Sequence, residues 1–386
     1  MTPGARMAAA IEVLDQIALG TPAEKALTSW ARARRFAGSK DRAAIRDHVF
    51  DVLRARRSLG DGDGRSLLLR LAKRDGLDID ALFSGEGHAP PPLSKAERAA
   101  LAAPLPQSAD TACDIPAWLW PLWVDSLGDQ AEVAAKALQR RADVYLRVNR
   151  RRMDSAAAVA TLATDQIIAV PHETVPGCLR VTENARRVSQ SAAFVDGLVE
   201  LQDAASQIAV QNVPVPAKGR VLDYCAGGGG KALAFADLHD ATVTAHDAAP
   251  ERMADLPTRA ARAGVEITLA RSDDSIRGSD FDVVFCDAPC SGSGTWRRTP
   301  DAKWRLTQDR LLALTDVQDA VLQAGSRYVA NNGILAYATC SVLNVENEAR
   351  VAAFLARDGS WAKIATRTLL PNHLHDGFFL TLLRRK

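Results

Sequence analysis

The sequence predicts an α/β protein with an all-α N-terminal domain and a small α+β unit between them. Three observations carry this. From Gly219 onward, short apolar runs alternate with helix-period segments, the pattern of a parallel sheet. The run VLDYC ends in an acid-bearing strand, turns through Gly227, Gly228, Gly229 and Gly230, and enters a helix. Residues 7–83 instead place apolar side chains at helical spacing, among them Ile11, Leu14, Ile17, Ala18, Val49, Phe50 and Leu53.

At 386 residues and 47 % hydrophobic content the chain can build two or three domains. The expected division is a helical domain over 1–83, a linker with helices over 84–140, a small α+β unit over 141–196, and an α/β domain over 197–386. The Gly/Pro-rich SGEGHAPPPLSKAE from Ser84 marks the linker. VYLRVNRRR reads as a strand and a basic turn opening the small unit. In the last domain RVLDYC, ATVTAHD, EITLA, FDVVFCDAP and GILAYATCS read as strands. Helices are expected at GKALAFADLH, at PERMADLPTRAARAG with an interruption at Pro257, in one long piece running to about Val329, and near residues 347–356. Asp223, Asp247, Asp287 and Cys340 then fall at strand C-termini, the edge where such sheets bind ligands.

Lys and Arg number 48 against 46 Asp and Glu, a formal net charge of +2. That balance announces no nucleic-acid partner by itself. The basic residues Arg32, Arg34, Arg35, Lys40, Arg54, Arg56 and Arg57 cluster, either as a solvated helix face or as a phosphate-contacting patch. None of the six cysteines forms a CxxC pair, which argues against structural zinc, and no metal is expected. His373 and His375 are two ligands at most and read as surface residues. Glu12 and Asp15 break the N-terminal apolar run, so it reads as an amphipathic helix and not a signal peptide. No apolar run nears the roughly 20 residues of a membrane span. A cytoplasmic monomer with free thiols is expected.

The glycine loop excludes a nucleoside triphosphate: Cys225 stands where a P-loop needs its first glycine, and Ala232 where it needs a hydroxyl. It leaves two ligands open. Gly227, Gly229 and Ala232 fit a dinucleotide fingerprint with Asp247 as the ribose acid. S-adenosylmethionine also calls for close backbone approach and a ribose-binding acid. The cysteines separate them. CDAPCSGSGTWRR and YATCSVLNVE each put a thiol, Cys290 and Cys340, at or beyond a strand end, where an oxidoreductase has no use for the pair. Cys286, inside its apolar strand, is the better candidate for an inert core thiol.

DAPCSGSG together with YATCSV resembles the Sun/Nop family of S-adenosylmethionine-dependent RNA cytosine-C5 methyltransferases, whose bacterial members include 16S ribosomal RNA enzymes. LQDAASQ, RRTPDAKW, DGFF, LRVNRRR and IPAWLW resemble further family segments, and the N-terminal helices loosely resemble its NusB-like RNA-binding domain. The resemblance implies a Rossmann-like methyltransferase domain with S-adenosylmethionine as cofactor. It implies RNA as partner, ribosomal RNA first and tRNA second, in single strands or loops gripped by the basic N-terminal domain. It makes Cys340 the nucleophile on cytosine C6 and Cys290 the group that assists its release. Asp287 would bond the cytosine N3/N4 edge near the cofactor's methyl end, and Lys231 is a cation able to reach the thiolate. Cys225, Ala226, Gly227, Gly228, Gly229, Gly230 and Lys231 would wrap the cofactor. Asp247 would take its ribose, and Asp273, or its neighbour Asp274, its adenine side. Arg297, Arg298 and Lys303 are candidates for RNA phosphates. Gly227 and Gly228 replace the family's usual Ala-Pro, which predicts a less rigid loop. A nicotinamide oxidoreductase and a catalytically inactive RNA-binding assembly factor are the rival readings; an intact cysteine pair disfavours both.

Overall fold

The computed structural model describes residues 1–105, 108–276 and 280–386. The chain divides into two compact units. One holds residues 1–124, 129–141 and 296–306; the other holds 125–128, 142–295 and 307–386.

In the first unit, helices Pro3–Ala18, Ala23–Ala33, Ser39–Arg54 and Gly64–Arg74 enclose a core that includes Met7, Val13, Trp30, Ile45, Phe50 and Leu68. Their starts are written locally: the side chains of Thr2 and Asp63 accept from the amides of Ala5 and Ser66. The stretch read as a linker is folded into this unit. Ser94 and Glu97 form a capping box at Lys95–Ala102, Arg65 pairs with Glu97 at 2.6 Å, and Leu93 and Leu101 pack on the same core. Prolines there restrict the backbone without preventing burial.

The basic cluster splits. Arg54 is buried and donates to the Arg297 carbonyl at 2.9 Å; Arg57 pairs with Asp110 and Arg34 with Glu12. Arg32, Arg35 and Lys40 stay exposed. Residues 296–306 correct the expectation for RNA phosphates at two positions. Lys303 is 1 % exposed and Arg297 4 %. Burial pushes the Lys303 amine down to about 8, and its ammonium lies 4.5 Å from the Trp304 ring centroid. Trp296 stacks on Trp123, and the Trp304 indole donates to the Leu53 carbonyl. Arg298 is half-buried. The expected single long helix is two, Pro300–Arg305 and Gln308–Gly325, because the Thr307 side chain caps a fresh start at the Arg310 amide.

The second unit contains two sheets. Strands β1 (Val144–Val148), β2 (Ile168–Pro171), β3 (Cys178–Glu183) and β4 (Val199–Leu201) form an antiparallel sheet in the order β2-β3-β1-β4, with Leu146 and Val148 packed on the helix Ser155–Thr164. The sheet runs past residue 196, where the sequence reading closed this unit, because Val199 pairs with Val148. The larger sheet comprises β5 (Arg220–Asp223), β6 (Thr242–His246), β7 (Ile267–Ala270), β8 (Phe281–Asp287), β9 (Val329–Thr339), β10 (Trp361–Leu369) and β11 (Phe378–Arg385). Its order is β10-β11-β9-β8-β5-β6-β7. The five strands β5 to β9 are mutually parallel, whereas β11 and β10 add antiparallel. This is the Rossmann-like architecture, with a hairpin edge that the strand–helix alternation did not reveal. β10 was not foreseen because its residues 363–368 are polar or exposed, as suits an edge strand.

Alternation explains the near-continuous apolar runs of the central strands. Val221, Val283, Phe285, Ala336 and Ala338 face one core with Leu233 and Phe235. Leu222, Val284, Cys286, Leu335 and Tyr337 face the other with Leu322 and Phe354. Burial pushes the Cys286 thiol far up, fitting an inert core residue. Pro257 lies in the first turn of Leu256–Ala263 and starts that helix instead of interrupting one, since the first turn has no use for its missing N–H.

Candidate active site

Strand register builds the site. Asp223 is paired with Phe285, and Asp287 with Ala338, so the ends of β5, β8 and β9 lie side by side. Asp223 and Asp287 share the parity of Val221 and Phe285, and Cys340 packs on that same core, two residues past Ala338. The helix Gly230–Leu238 covers this face, which carries Lys231 to the edge. Between them opens a cleft of about 470 Å³ lined by Asp223, Cys225, Lys231, Asp287, Cys290 and Cys340, with Ala226, Gly227, Gly228 and Gly230 along one wall.

Two thiols meet there. Cys290 Sγ and Cys340 Sγ are 3.4 Å apart, and both side chains are part-exposed. Contact with Cys340, followed by burial, pushes the Cys290 thiol well up, so Cys290 is held as the protonated partner. Lys231 Nζ donates to Asp287 Oδ2 at 2.6 Å. Burial works against the Lys231 charge, but the charge and hydrogen bond of Asp287 outweigh it and raise the amine, with a further contribution from Cys340. The ammonium is thus fixed within electrostatic reach of the Cys340 sulfur.

The loops bearing the thiols are clamped by a carboxylate that the sequence reading missed. Glu346 is fully buried, accepts from the Ser291 amide at 2.7 Å and from Gln318 Nε2 at 3.0 Å, and also takes the hydroxyls of Ser291 and Ser341. Ser291 follows Cys290 and Ser341 follows Cys340, so one side chain positions both turns. Asn347 adds a bond from Nδ2 to the Ser341 carbonyl at 3.0 Å and accepts from Thr339 Oγ1 at 2.6 Å. The signal was present in SVLNVENE as two polar residues after an apolar strand, but nothing in the spacing says they turn inward. Close backbone crossing accounts for two motif glycines: the Gly377 amide donates to the Gly294 carbonyl at 2.8 Å, and a Cβ on Gly294 would come within 2.6 Å of the Gly377 backbone.

The glycine loop is held despite lacking proline. Gly229 sits at φ 79°, its amide donates to the Ala226 carbonyl at 2.8 Å, and Arg259 bonds the Gly228 carbonyl. Gln202 and Asp203, from LQDAASQ, line the cleft as well; Gln202 Nε2 donates to the Gly230 carbonyl at 3.0 Å. Asp247 is buried and accepts from the amides of Gly227 at 2.8 Å and Ala249 at 2.9 Å, while Arg252 lies over it at 3.1 Å. Asp273 accepts from the Tyr224 hydroxyl at 3.0 Å, and His246 stacks on Tyr224. Gly229, Asp247 and Asp273 do not line the cleft itself. His375 is half-buried, with Nδ1 at 2.9 Å from the Asp376 carbonyl, and so is less of a surface residue than expected; His373 is exposed. Among the described residues no group of three or more His, Cys, Asp or Glu could hold a metal, and no helix is long and apolar enough to cross a membrane.

The residues fit S-adenosylmethionine. A wall of glycines admits close backbone approach, acidic groups stand along the loop, and Asp223 presents two buried oxygens with no hydrogen-bond donor of their own. The fold is that of the Rossmann-like methyltransferases. Comparison with known proteins narrows the class. Residues 213–384 match the model of the family described as 16S rRNA methyltransferase RsmB/F, and residues 115–188 that of the RsmF/B-like ferredoxin-like domain. Ribosomal RNA small subunit methyltransferase B of Vibrio cholerae is 31 % identical over 284 residues, covering 70 % of this chain and 65 % of that protein. Its counterpart in Xanthomonas campestris is 33 % identical over 289 residues, covering 68 % and 66 %. The chain therefore spans slightly under two thirds of the length of these relatives. Among solved structures, PH0851 superposes with a TM-score of 0.76 at 21 % identity, covering 100 % of this chain and 99 % of that one. NSun6 from Pyrococcus horikoshii, solved with SFG, gives 0.62 at 17 % identity, covering 70 % and 98 %. Over these residues the chain is similar to the RsmB/F methyltransferase family.

Proposed function

We propose that the protein methylates C5 of a cytosine in RNA, ribosomal RNA in the first place, through a transient bond between Cys340 Sγ and cytosine C6. The observation that carries this reading is the pair of thiols 3.4 Å apart in a cleft whose one fixed ammonium, Lys231, is anchored by Asp287. Cytosine C5 is a poor nucleophile. Addition of a thiolate at C6 places electron density on C5, splitting one hard step into easier ones. S-adenosylmethionine, bound along the loop 225–231, would supply an electrophilic methyl carbon to that C5.

The chain's own residues do the rest. Lys231 stabilises the Cys340 thiolate, since an ordinary thiol near pKa 8.5 is only a few per cent ionised at neutral pH. Asp287 accepts from the cytosine N4 amino group or a protonated N3. A base then takes the C5 proton, the C–H electron pair re-forms the C5–C6 double bond, and Cys340 leaves with the C6–S pair next to the protonated Cys290 thiol. Asp247 and Asp273 receive the ribose and the adenine side. The ribose must displace the Arg252 guanidinium from Asp247 to reach it. A base buried in a helix cannot meet Cys340, so the substrate is a single-stranded or looped segment. The helical residues 1–83 and the small unit around 141–196 serve as RNA-holding regions.

The test is methyl transfer from labelled S-adenosylmethionine to small-subunit ribosomal RNA, mapped by bisulfite sequencing. The expected product is a 5-methylcytosine that vanishes with Cys340→Ala, while S-adenosylhomocysteine still binds. Activity surviving in Cys340→Ala, or methyl groups appearing on tRNA alone, would refute the reading as stated.

A further inference from the structure

Cys290 and Cys340 differ from the chain's other thiols in being both paired and reachable. Cys113, Cys178 and Cys286 are at most 1 % exposed. Cys225 borders the cleft but packs on the core that holds Leu222 and Val284, and burial pushes its thiol well up. The pair stands in the open cleft of about 470 Å³, part-exposed, with its sulfurs 3.4 Å apart. The turns that carry the two thiols are tied to each other. Glu346 takes the hydroxyls of Ser291 and Ser341, and the Gly294 amide donates to the Cys340 carbonyl at 2.9 Å. A disulfide needs its sulfurs about 2.05 Å apart, so little closure remains. Methyl transfer as read above uses the sulfurs one after the other and calls for no bond between them.

We propose that the two thiols form a redox-modification site, in which a hydroperoxide oxidises Cys340 and Cys290 captures it as a reversible Cys290–Cys340 disulfide. Cys290 thereby gains a second task, that of a resolving thiol. The surroundings order the steps. The Lys231 ammonium favours a thiolate at Cys340, the form that attacks a peroxide. Contact with Cys340, followed by burial, pushes the Cys290 thiol up, so it waits as the second reactant.

The chemistry balances. The Cys340 thiolate attacks one peroxide oxygen and the O–O bond breaks. A sulfenic acid forms, and the departing hydroxide takes up the proton that the thiol had lost, leaving as water. The Cys290 sulfur then attacks the sulfenic sulfur. The S–S bond forms, the S–O bond breaks, and the hydroxyl leaves as a second water with the Cys290 proton. Two thiols are oxidised by two electrons and one hydroperoxide is reduced. A reducing thiol reverses the bond by exchange. While it stands, Cys340 is shielded from the sulfinic and sulfonic acids, which such thiols do not reverse. Only the consequence for activity rests on the proposed function: with its nucleophile occupied, the chain stops transferring methyl groups.

The test is peroxide treatment of the full chain, reduced and freed of reductant, with free thiols then blocked by iodoacetamide under denaturing conditions. Two of the six thiols should become unreactive, and unreduced peptide mapping should join the peptides of Cys290 and Cys340. Dithiothreitol should restore all six, and methyl transfer should fall and recover in proportion to the joined fraction. Under prolonged exposure Cys290→Ala should form no such link and lose Cys340 to sulfinic and sulfonic acids that dithiothreitol does not recover. Wild-type Cys340 over-oxidised without a link, a link between any other pair, or a Cys290→Ala chain that recovers as fully as wild type overturns the proposal. A fully joined chain that still methylates RNA would instead overturn Cys340 as the nucleophile and leave the disulfide standing. Peptide mapping of the wild type decides the matter even if the Cys290→Ala chain does not fold.

Discussion

Cys290 and Cys340 are 50 residues apart in the chain, yet their sulfurs lie 3.4 Å from each other. Its neighbour, followed by burial, pushes the Cys290 thiol well up. In the proposed mechanism Cys340 makes the attack and Cys290 assists the release. Cys290→Ala should therefore trap a covalent RNA–protein adduct that survives a denaturing gel. An adduct from Cys340→Ala would reverse the two roles.

Glu346 joins the two thiol loops through Ser291 and Ser341. Glu346→Gln keeps the volume but turns a donor NH2 toward donors already present. Stability should fall by about 2–4 kcal/mol, the cost of unsatisfied buried groups, as read by chemical denaturation. Methyl transfer should drop more than S-adenosylhomocysteine binding does, because the glycine wall does not touch this clamp. Equal loss of both would mean that Glu346 only stabilises the fold.

Lys231 faces Cys340 as an ammonium. In a Cys290→Ala background, Lys231→Met should slow alkylation of Cys340 by iodoacetamide at pH 7.5 by about tenfold, since less thiolate is present. An unchanged rate would remove Lys231 from the activation of the nucleophile.

Arg252 covers Asp247 from a largely exposed position, 57 % by side chain. Such a pair contributes at most about 1 kcal/mol. Arg252→Ala should accordingly tighten S-adenosylhomocysteine binding up to about fivefold, with the gain shrinking in high salt. Weaker binding would show that Arg252 holds the ligand and does not compete with it.

Asp223 also writes a pH signature on the ligand-free protein. Its folded value, about 7, lies above the usual 3.8. The folded chain thus binds this proton more tightly than the unfolded chain. The stabilisation is complete below about pH 4 and is lost as pH climbs through about 7. Relative to wild type, Asp223→Asn should gain thermal stability over that window and hold a constant advantage above it. A gap that narrows with rising pH would contradict the sign.

Much of the catalytic half was legible because its signals are local. Strands of alternating apolar residues, a glycine turn after Asp223, and thiols at two strand ends each declare themselves within about ten residues. The edge hairpin was not, because most of β10 is polar or exposed and carries no apolar strand pattern. Arg297 and Lys303 misled for a related reason. A basic residue in sequence reads as a surface cation, and only its burial beside the Trp304 ring reveals Lys303 as internal.

The amino-acid sequence by itself determined the type of sheet, the glycine loop after β5 and the pair of sulfurs, since backbone freedom at glycine and side-chain periodicity act between near neighbours. Tertiary structure decided which carboxylate is satisfied and which is left waiting. Asp287 finds Lys231, Glu346 finds two serines, and Asp223 finds none, because partner choice in a buried site depends on groups that folding alone brings within 3 Å.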